Sequence, residues 1–157
     1  MIAVIADTHL PRGGRRLPPA CIRILKSADL ILHAGDLTAE AVLSDLEALA
    51  PVAAVHGNMD EPALQERLPA TRILETEGLR IGLLHDAGNL AGRHERLLAR
   101  FPGCDAVIYG HTHMPEVTRS GGVWILNPGS PTERRRAPGH SMITVRDGVP
   151  SLVSIQG

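Results

Sequence analysis

The chain has 157 residues, 43% of them hydrophobic and 21% charged, and a formal net charge of −1 with its histidines neutral; this balance predicts one globular domain, residues 1–157, and excludes a disordered or fibrous chain. A charge so near zero provides no broad positive field for nucleic acid or an anionic membrane, and Phe101, Tyr109 and Trp124, its only aromatic residues, are too few for the stacking platforms of single-stranded nucleic-acid binders. Cys21 and Cys104 lack C-x-x-C spacing and read as two small buried hydrophobes in a reducing compartment; no apolar run approaches the ~20 residues of a membrane span or resembles a secretory signal, so the expected location is cytoplasmic.

Ile2–Ala6 is a short apolar run that reads as a buried strand and ends on Asp7-Thr8-His9. Pro19–Ala28 has apolar residues at helical spacing. Leu30–His33 is a second strand, followed by Ala34-Gly35-Asp36. Ala39–Leu49 is a helix with Val42, Leu43, Leu46 and Leu49 on one face and Thr38 as its expected N-cap. Val52–Val55 is a third strand, leading through His56 to Gly57-Asn58-Met59-Asp60. Arg72–Thr76 and Leu79–Leu84 form a hairpin around Glu77-Gly78, and the second arm runs into His85. Gly92–Phe101 is helical, and Ala106–Tyr109 is a strand that ends on Gly110-His111-Thr112-His113. Beyond residue 114 the pattern is of strands only, Glu116–Thr118, Val123–Leu126, Met142–Arg146 and Leu152–Ile155, with an Asp147-Gly148 hairpin turn. Pro128–Gly139 reads as a surface loop. Alternating strands and helices predict an α/β fold with a partly parallel first half; the second half leans antiparallel.

Five strands therefore end in a small polar residue or a histidine. Ligands of open α/β sheets gather beyond the carboxyl ends of the strands, so these tips are expected to meet in one crevice. Carboxylate, amide oxygen and imidazole together suit Mn²⁺, Fe, Zn²⁺, Co²⁺ or Ni²⁺, and the lack of thiolate argues against a cysteine zinc site. On an extended chain alternate residues point the same way, which would let Asp7 and His9 share one ion and place His111 beside His113, each serving a different ion. Asp7, His9, Asp36, Asn58, His85, His111 and His113 are too many for one tetrahedral ion and too few for two closed octahedra. Two ions sharing a carboxylate fit the count. Alone, each motif is ordinary turn chemistry; only the ordered set is specific.

The order D-x-H, G-D, G-N-x-D, H and G-H-x-H, from Ala3 to Val145, resembles the calcineurin-like metallophosphoesterase superfamily. The short length, His33-Ala34-Gly35-Asp36 and Asn127-Pro128-Gly129-Ser130-Pro131 resemble its compact bacterial and archaeal phosphodiesterase branch. The resemblance implies a four-layer α/β/β/α sandwich of two mixed β-sheets flanked by helices. It implies a first metal held by Asp7, His9, Asp36 and His113, and a second held by Asp36, Asn58, His85 and His111, with Asp36 bridging. The implied cofactor is two divalent ions, Mn²⁺ foremost, ~3.5–4 Å apart, which activate a bridging hydroxide as nucleophile while clamping the phosphoryl oxygens. Four neutral imidazoles and two carboxylates would leave such a site near +2, a local attraction for phosphate in an otherwise neutral chain. The implied partner is a small phosphodiester, or alternatively a phosphomonoester; a homo-oligomer stays open. A scaffold of the same fold, like the small subunit of the retromer coat, is the non-enzymatic alternative, disfavoured because scaffolds of that sort shed ligands.

Two positions depart from the wider pattern. Met59 stands where many members carry a histidine that protonates the leaving group, and Asp86 follows His85 where glycine is usual; Asp86 reads as a loop residue or an added carboxylate near the metals. His33 and His56 read as structural or as supports for neighbouring ligands, His94 as part of a solvated helix face, His140 as a weak approach to the site, and Arg134, Arg135 and Arg136 as a solvated charge run.

Overall fold

The computed structural model describes residues 1–156. Ten strands form two five-stranded sheets. The first has the order β10-β9-β1-β2-β3, with β1 (Ile2–Ile5), β2 (Leu30–His33), β3 (Val52–Ala54), β9 (His140–Arg146) and β10 (Val149–Ile155). The second has the order β4-β5-β6-β8-β7, with β4 (Thr71–Thr76), β5 (Leu79–Leu84), β6 (Ala106–Ile108), β7 (Glu116–Ser120) and β8 (Val123–Asn127). In the first sheet β1, β2 and β3 are parallel and β9 and β10 antiparallel. In the second, β5, β6 and β8 run parallel between antiparallel edges β4 and β7.

Strand alternation distributes the core. In β1, Ile2 and Val4 enter a cluster with Leu32, Val55, Ile81, Leu83, Ile108, Leu126 and Ile143, drawn from both sheets and lying between them. Ala3 and Ile5 point the other way, against Cys21 and Leu25 of α1 (Pro19–Ser27), Leu43 and Leu46 of α2 (Glu40–Glu47) and Leu64 of α3 (Pro62–Arg67). On the outer face of the second sheet, Val107, Tyr109 and Ile125 pack on Leu97 of α4 (Arg93–Arg100) and on Phe101. The period of two in each central strand thus divides its side chains between two hydrophobic layers. The result is the expected sandwich, helices outside two mixed sheets. The three two-residue hairpin turns each have two consecutive positive φ angles, 54° and 72° at Glu77-Gly78, 56° and 77° at Gly121-Gly122, and 49° and 75° at Asp147-Gly148, as a type I′ turn requires. Among the described residues no helix is long and apolar enough to cross a membrane.

Several expectations are corrected. The helix α3 went unread because it has six residues, opens on Pro62 and buries Leu64 alone. Thr38 does not cap α2: Ala39 holds that position without a side-chain cap. Thr38 has φ of 90°, its hydroxyl donates to the Leu10 carbonyl and its amide to Asp60 Oδ1 at 2.7 Å. The second half leans antiparallel as expected, through β7–β8, β9–β10 and β1–β9, with one reversal: β8 lies parallel to β6. This reversal places the end of a sixth strand beside the tips of β5 and β6.

Candidate metal centre

The chain turns at the strand tips are stitched to one another by main-chain hydrogen bonds. The amide of Asp7 donates to Gly35 O at 2.9 Å, that of His9 to Asp36 O at 3.0 Å, and that of Gly110 to His85 O at 2.9 Å. The last of these lies within the second sheet; the two sheets are joined where the His111 amide donates to Asp7 Oδ2 at 2.9 Å and His85 Nδ1 donates to Ala34 O at 2.8 Å. Asp7, His9, Asp36, His111 and His113 all have positive φ, between 47° and 72°. The left-handed region is uncommon for residues other than glycine and costs about 1–3 kcal/mol each. Asp7 and His9 do converge, but through a left-handed backbone, not the extended alternation expected from their spacing.

Two clusters of donors result. Asp7, His9 and His113 form one and Asp36, His85 and His111 the other, the ligand atoms of each lying within 4.8 Å of one another. Each carboxylate gives one oxygen to the backbone and turns the other inward: Asp36 Oδ1 accepts from the Met59 amide at 2.9 Å, and Asp36 Oδ2 lies 3.5 Å from His9 Nε2 and 3.2 Å from His85 Nε2. Asp7 Oδ1 lies 3.5 Å from His113 Nε2 and 3.8 Å from His9 Nε2. Around His85 Nε2 stand Asn58 Oδ1 at 3.1 Å and His111 Nδ1 at 3.3 Å. Bonds of about 2.0–2.2 Å to one ion separate donors by about 3 Å at right angles and about 4 Å when opposed. The separations in both clusters lie in that range.

Burial argues the same way. Asp7, His9 and His113 are fully buried, yet Asp7 Oδ1, both ring nitrogens of His9 and His113 Nε2 have no hydrogen-bond partner. Buried polar atoms without partners are destabilising unless a cation or proton satisfies them. Burial pushes the Asp7 carboxyl up, but His113, His9 and His85 outweigh it and hold the group well below the carboxylate range. The donors therefore fit divalent cations, and the ring tautomers are set for it: with Nδ1 of His85 on Ala34 O and Nδ1 of His113 on Glu133 O, the Nε2 atoms face the clusters.

The supports are Asp60 and Ser130, which the sequence shows only as letters of the G-N-x-D and Asn-Pro-Gly-Ser-Pro motifs, and Thr132, which it does not mark. Asp60 Oδ2 accepts from the amides of Asp36 at 3.1 Å and Gly57 at 2.6 Å. Ser130 Oγ donates to Asp7 O at 2.8 Å and Thr132 Oγ1 to Thr8 O at 2.6 Å. Residues 128–133 are thus packed under the site, and within the expected surface loop Arg134, Arg135, Arg136 and Pro138 are exposed. Gly57 leaves no room: a Cβ there would sit 2.1 Å from Asp36 Oδ1 and 2.7 Å from Asp36 N. Gly57→Ala is expected to displace Asp36 and lower metal-dependent turnover by about 100-fold with the fold retained by circular dichroism; wild-type turnover would show that the Asp36 position is not critical.

The remaining histidines separate. His33 is buried, accepts from the Gly35 amide at 3.1 Å and meets Thr8 Oγ1 at 3.1 Å, so it braces two tips. Burial drives its pKa down to about 3, and a neutral His33 stabilises the fold above about pH 6.5, a contribution lost as the pH falls from there towards 3. His56 lines a cavity of about 340 Å³ together with Asn58, His85 and Asp86. His94 does not face open solvent; its Nε2 pairs with Glu116 Oε2 at 2.8 Å. His140 lies in a groove with Arg15, Arg16 and Thr132, not among the donors. Asp86 Oδ1 accepts from the Gly88 amide at 2.8 Å, as a loop residue does, while Oδ2 is 3.9 Å from His111 Nε2.

Residues 1–147 match the family model described as the calcineurin-like phosphoesterase superfamily domain. The chain belongs to this family. A protein named "Probable metallophosphoesterase" from Methanothermobacter thermautotrophicus is 41% identical over 150 residues, 94% of this chain and 87% of its own length. Another so named from Methanocaldococcus jannaschii is 41% identical over 138 residues, 86% and 70% of the two chains. The crystal structure of wild-type Vps29 complexed with Zn²⁺ from Entamoeba histolytica superposes with a TM-score of 0.76 at 26% identity, covering 98% of this chain and 97% of that one. This calcineurin-like chain is accordingly a metallophosphoesterase by family, a class of hydrolases acting on phosphoric esters that bind divalent metals.

Proposed function

We propose that this metallophosphoesterase is a phosphodiesterase with a dinuclear centre. One ion is held by Asp7, His9, Asp36 and His113 and the other by Asp36, Asn58, His85 and His111. The observation that carries the reading is the set of buried, unpartnered donor atoms on Asp7, His9 and His113, beside a second cluster that shares Asp36. Asp36 Oδ2 is nearer to His9 and His85, at 3.5 and 3.2 Å, than Asp7 Oδ1, at 3.8 and 3.9 Å, which supports Asp36 as the bridge. The mixed oxygen and imidazole donors are compatible with Mn²⁺, Fe, Zn²⁺, Co²⁺ and Ni²⁺, and Mn²⁺ is the first choice on the family resemblance. When bound, such a pair polarises phosphoryl oxygens and lowers the pKa of water.

The chain's own residues do the rest. The tips of β1 and β2 hold the carboxylates rigid, and Asn58, exposed at the mouth, offers its amide to orient a phosphate. Asn58, Met59, Asp86 and Met114 are all exposed, and half-open His111 lies among them; a mouth this open suits a phosphorus carrying two ester arms. Met59 has no proton to give, so ester groups that leave without protonation are favoured. The expected substrate is a small diester, not nucleic acid. A monoesterase is the alternative within the family, and the complete donor set favours either enzyme over a scaffold.

A screen of the Mn²⁺-loaded protein tests this. Hydrolysis of bis-p-nitrophenyl phosphate is expected to exceed that of p-nitrophenyl phosphate, and cyclic nucleotides to be cleaved faster than mononucleotides. Faster monoester cleavage would reverse the preference; no cleavage of any ester would favour the scaffold.

A further inference from the structure

The second sheet sends one more carboxylate to the centre. Because β8 runs parallel to β6, the segment after Asn127 emerges at the same end as the other tips. Its course is fixed there by Ser130, whose hydroxyl accepts from the Glu133 amide at 2.8 Å and donates to Asp7 O. The carbonyl of Glu133 accepts from His113 Nδ1. Glu133 is thus bound through its main chain to two residues of the first donor cluster, directly to His113 and through Ser130 to Asp7.

Its side chain points inward. Glu133 Oε1 takes the Arg15 guanidinium, with NH2 at 3.1 Å, and Arg135 Nε stands 3.9 Å from the same oxygen. Glu133 Oε2 is buried without a hydrogen-bond partner and lies 3.7 Å from His9 Nε2. Three carboxylate oxygens, from Asp36 at 3.5 Å, Glu133 at 3.7 Å and Asp7 at 3.8 Å, surround that one imidazole nitrogen. None is at hydrogen-bond distance from it, and His9 Nε2 is itself fully buried and unpartnered. Three anionic oxygens held this close need a cation among them.

We propose that Glu133 is an eighth ligand of the centre, its Oε2 completing the site of the first ion, with Arg15 as the residue that positions it by holding Oε1. This rests on the two-ion reading above and deepens it. The first site then has three carboxylate oxygens and two imidazoles. Such a set is richer in oxygen than the second site and favours Mn²⁺ or Fe²⁺ over tetrahedral Zn²⁺.

Calorimetric titration of the chelator-stripped, full-length chain with Mn²⁺ tests the assignment. The wild type is expected to bind two ions, and Glu133→Gln to bind one of them at least about 10-fold more weakly while the other is unchanged, with a smaller loss for Zn²⁺. A salt bridge of purely structural value would weaken both ions alike or lower the melting temperature of the stripped protein, and either result overturns the proposal, as do two wild-type affinities in Glu133→Gln. If Glu133→Gln fails to fold, Glu133→Asp, which keeps the charge but withdraws it by one methylene, decides by the same selective loss. A wild type that binds no ion sinks the two-ion reading itself, whereas two ions bound normally by the Gln variant sink only Glu133.

Discussion

Asp36→Asn is expected to reduce phosphoester hydrolysis by about 1,000-fold or more, equivalent to about 4 kcal/mol of transition-state stabilisation. The substitution is nearly isosteric, and the amide oxygen can still accept from the Met59 amide. It removes the negative charge that lies closest to both His9 and His85, 3.5 Å from the first and 3.2 Å from the second. Loss of a shared ligand weakens both ions together, so metal content should drop at both sites. His94→Ala is the control, since His94 pairs with Glu116 on the outer side of the second sheet and touches no donor. Activity ratios for the two variants within a few-fold of each other would mean that Asp36 is not the bridge.

Removing the metals is expected to abolish hydrolysis, and Mn²⁺ to restore it; full turnover in excess EDTA would refute the metal-dependent reading. The binding should also be linked to protons. Burial lowers the His85 pKa, but its bond to Asp36 and the charges of Asp7 and Asp36 prevail and raise it to about 9 in the metal-free chain. A proton on His85 therefore contributes stability to the metal-free form that is whole below about pH 6.5 and lost as the pH rises through 9. An incoming cation must expel that proton, so its affinity rises across the same window and falls in acid. Titration with Mn²⁺ at pH 7 in two buffers of different ionisation enthalpy should register proton release. Release of none would exclude His85 as a ligand, and metal content by elemental analysis should decline towards pH 5.

The strand tips were legible because each combined two independent signals: a buried apolar run and an abrupt polar or imidazole residue after it. Seven such side chains, Asp7, His9, Asp36, Asn58, His85, His111 and His113, do meet at one end of the two sheets. What could not be read was whatever depends on backbone angle or strand direction. Asp7-Thr8-His9 has the spacing of an extended pair, and nothing in three residues announces a φ of 55° or 47°. The direction of β8 is set by its pairing with β6, residues distant in sequence, and with it goes the placement of Ser130, Thr132 and Glu133. Asp60 was visible as the last letter of G-N-x-D, but that it anchors the Asp36 and Gly57 amides only appears once β2 and β3 lie side by side. Thr38 looked like a cap because threonine commonly is one; the competing acceptor, Leu10 O, comes from another loop.

The left-handed turns at Asp7, His9, Asp36, His111 and His113 set stability against reactivity at the same five positions. Glycine at any of them would relax the main chain and delete a donor in one stroke, so the most robust version of this sandwich is not the one with an intact centre. Random substitution, left unopposed, would drift towards that blunted version. Relief of backbone strain and retention of the donor side chains are thus opposed at each of these five turns.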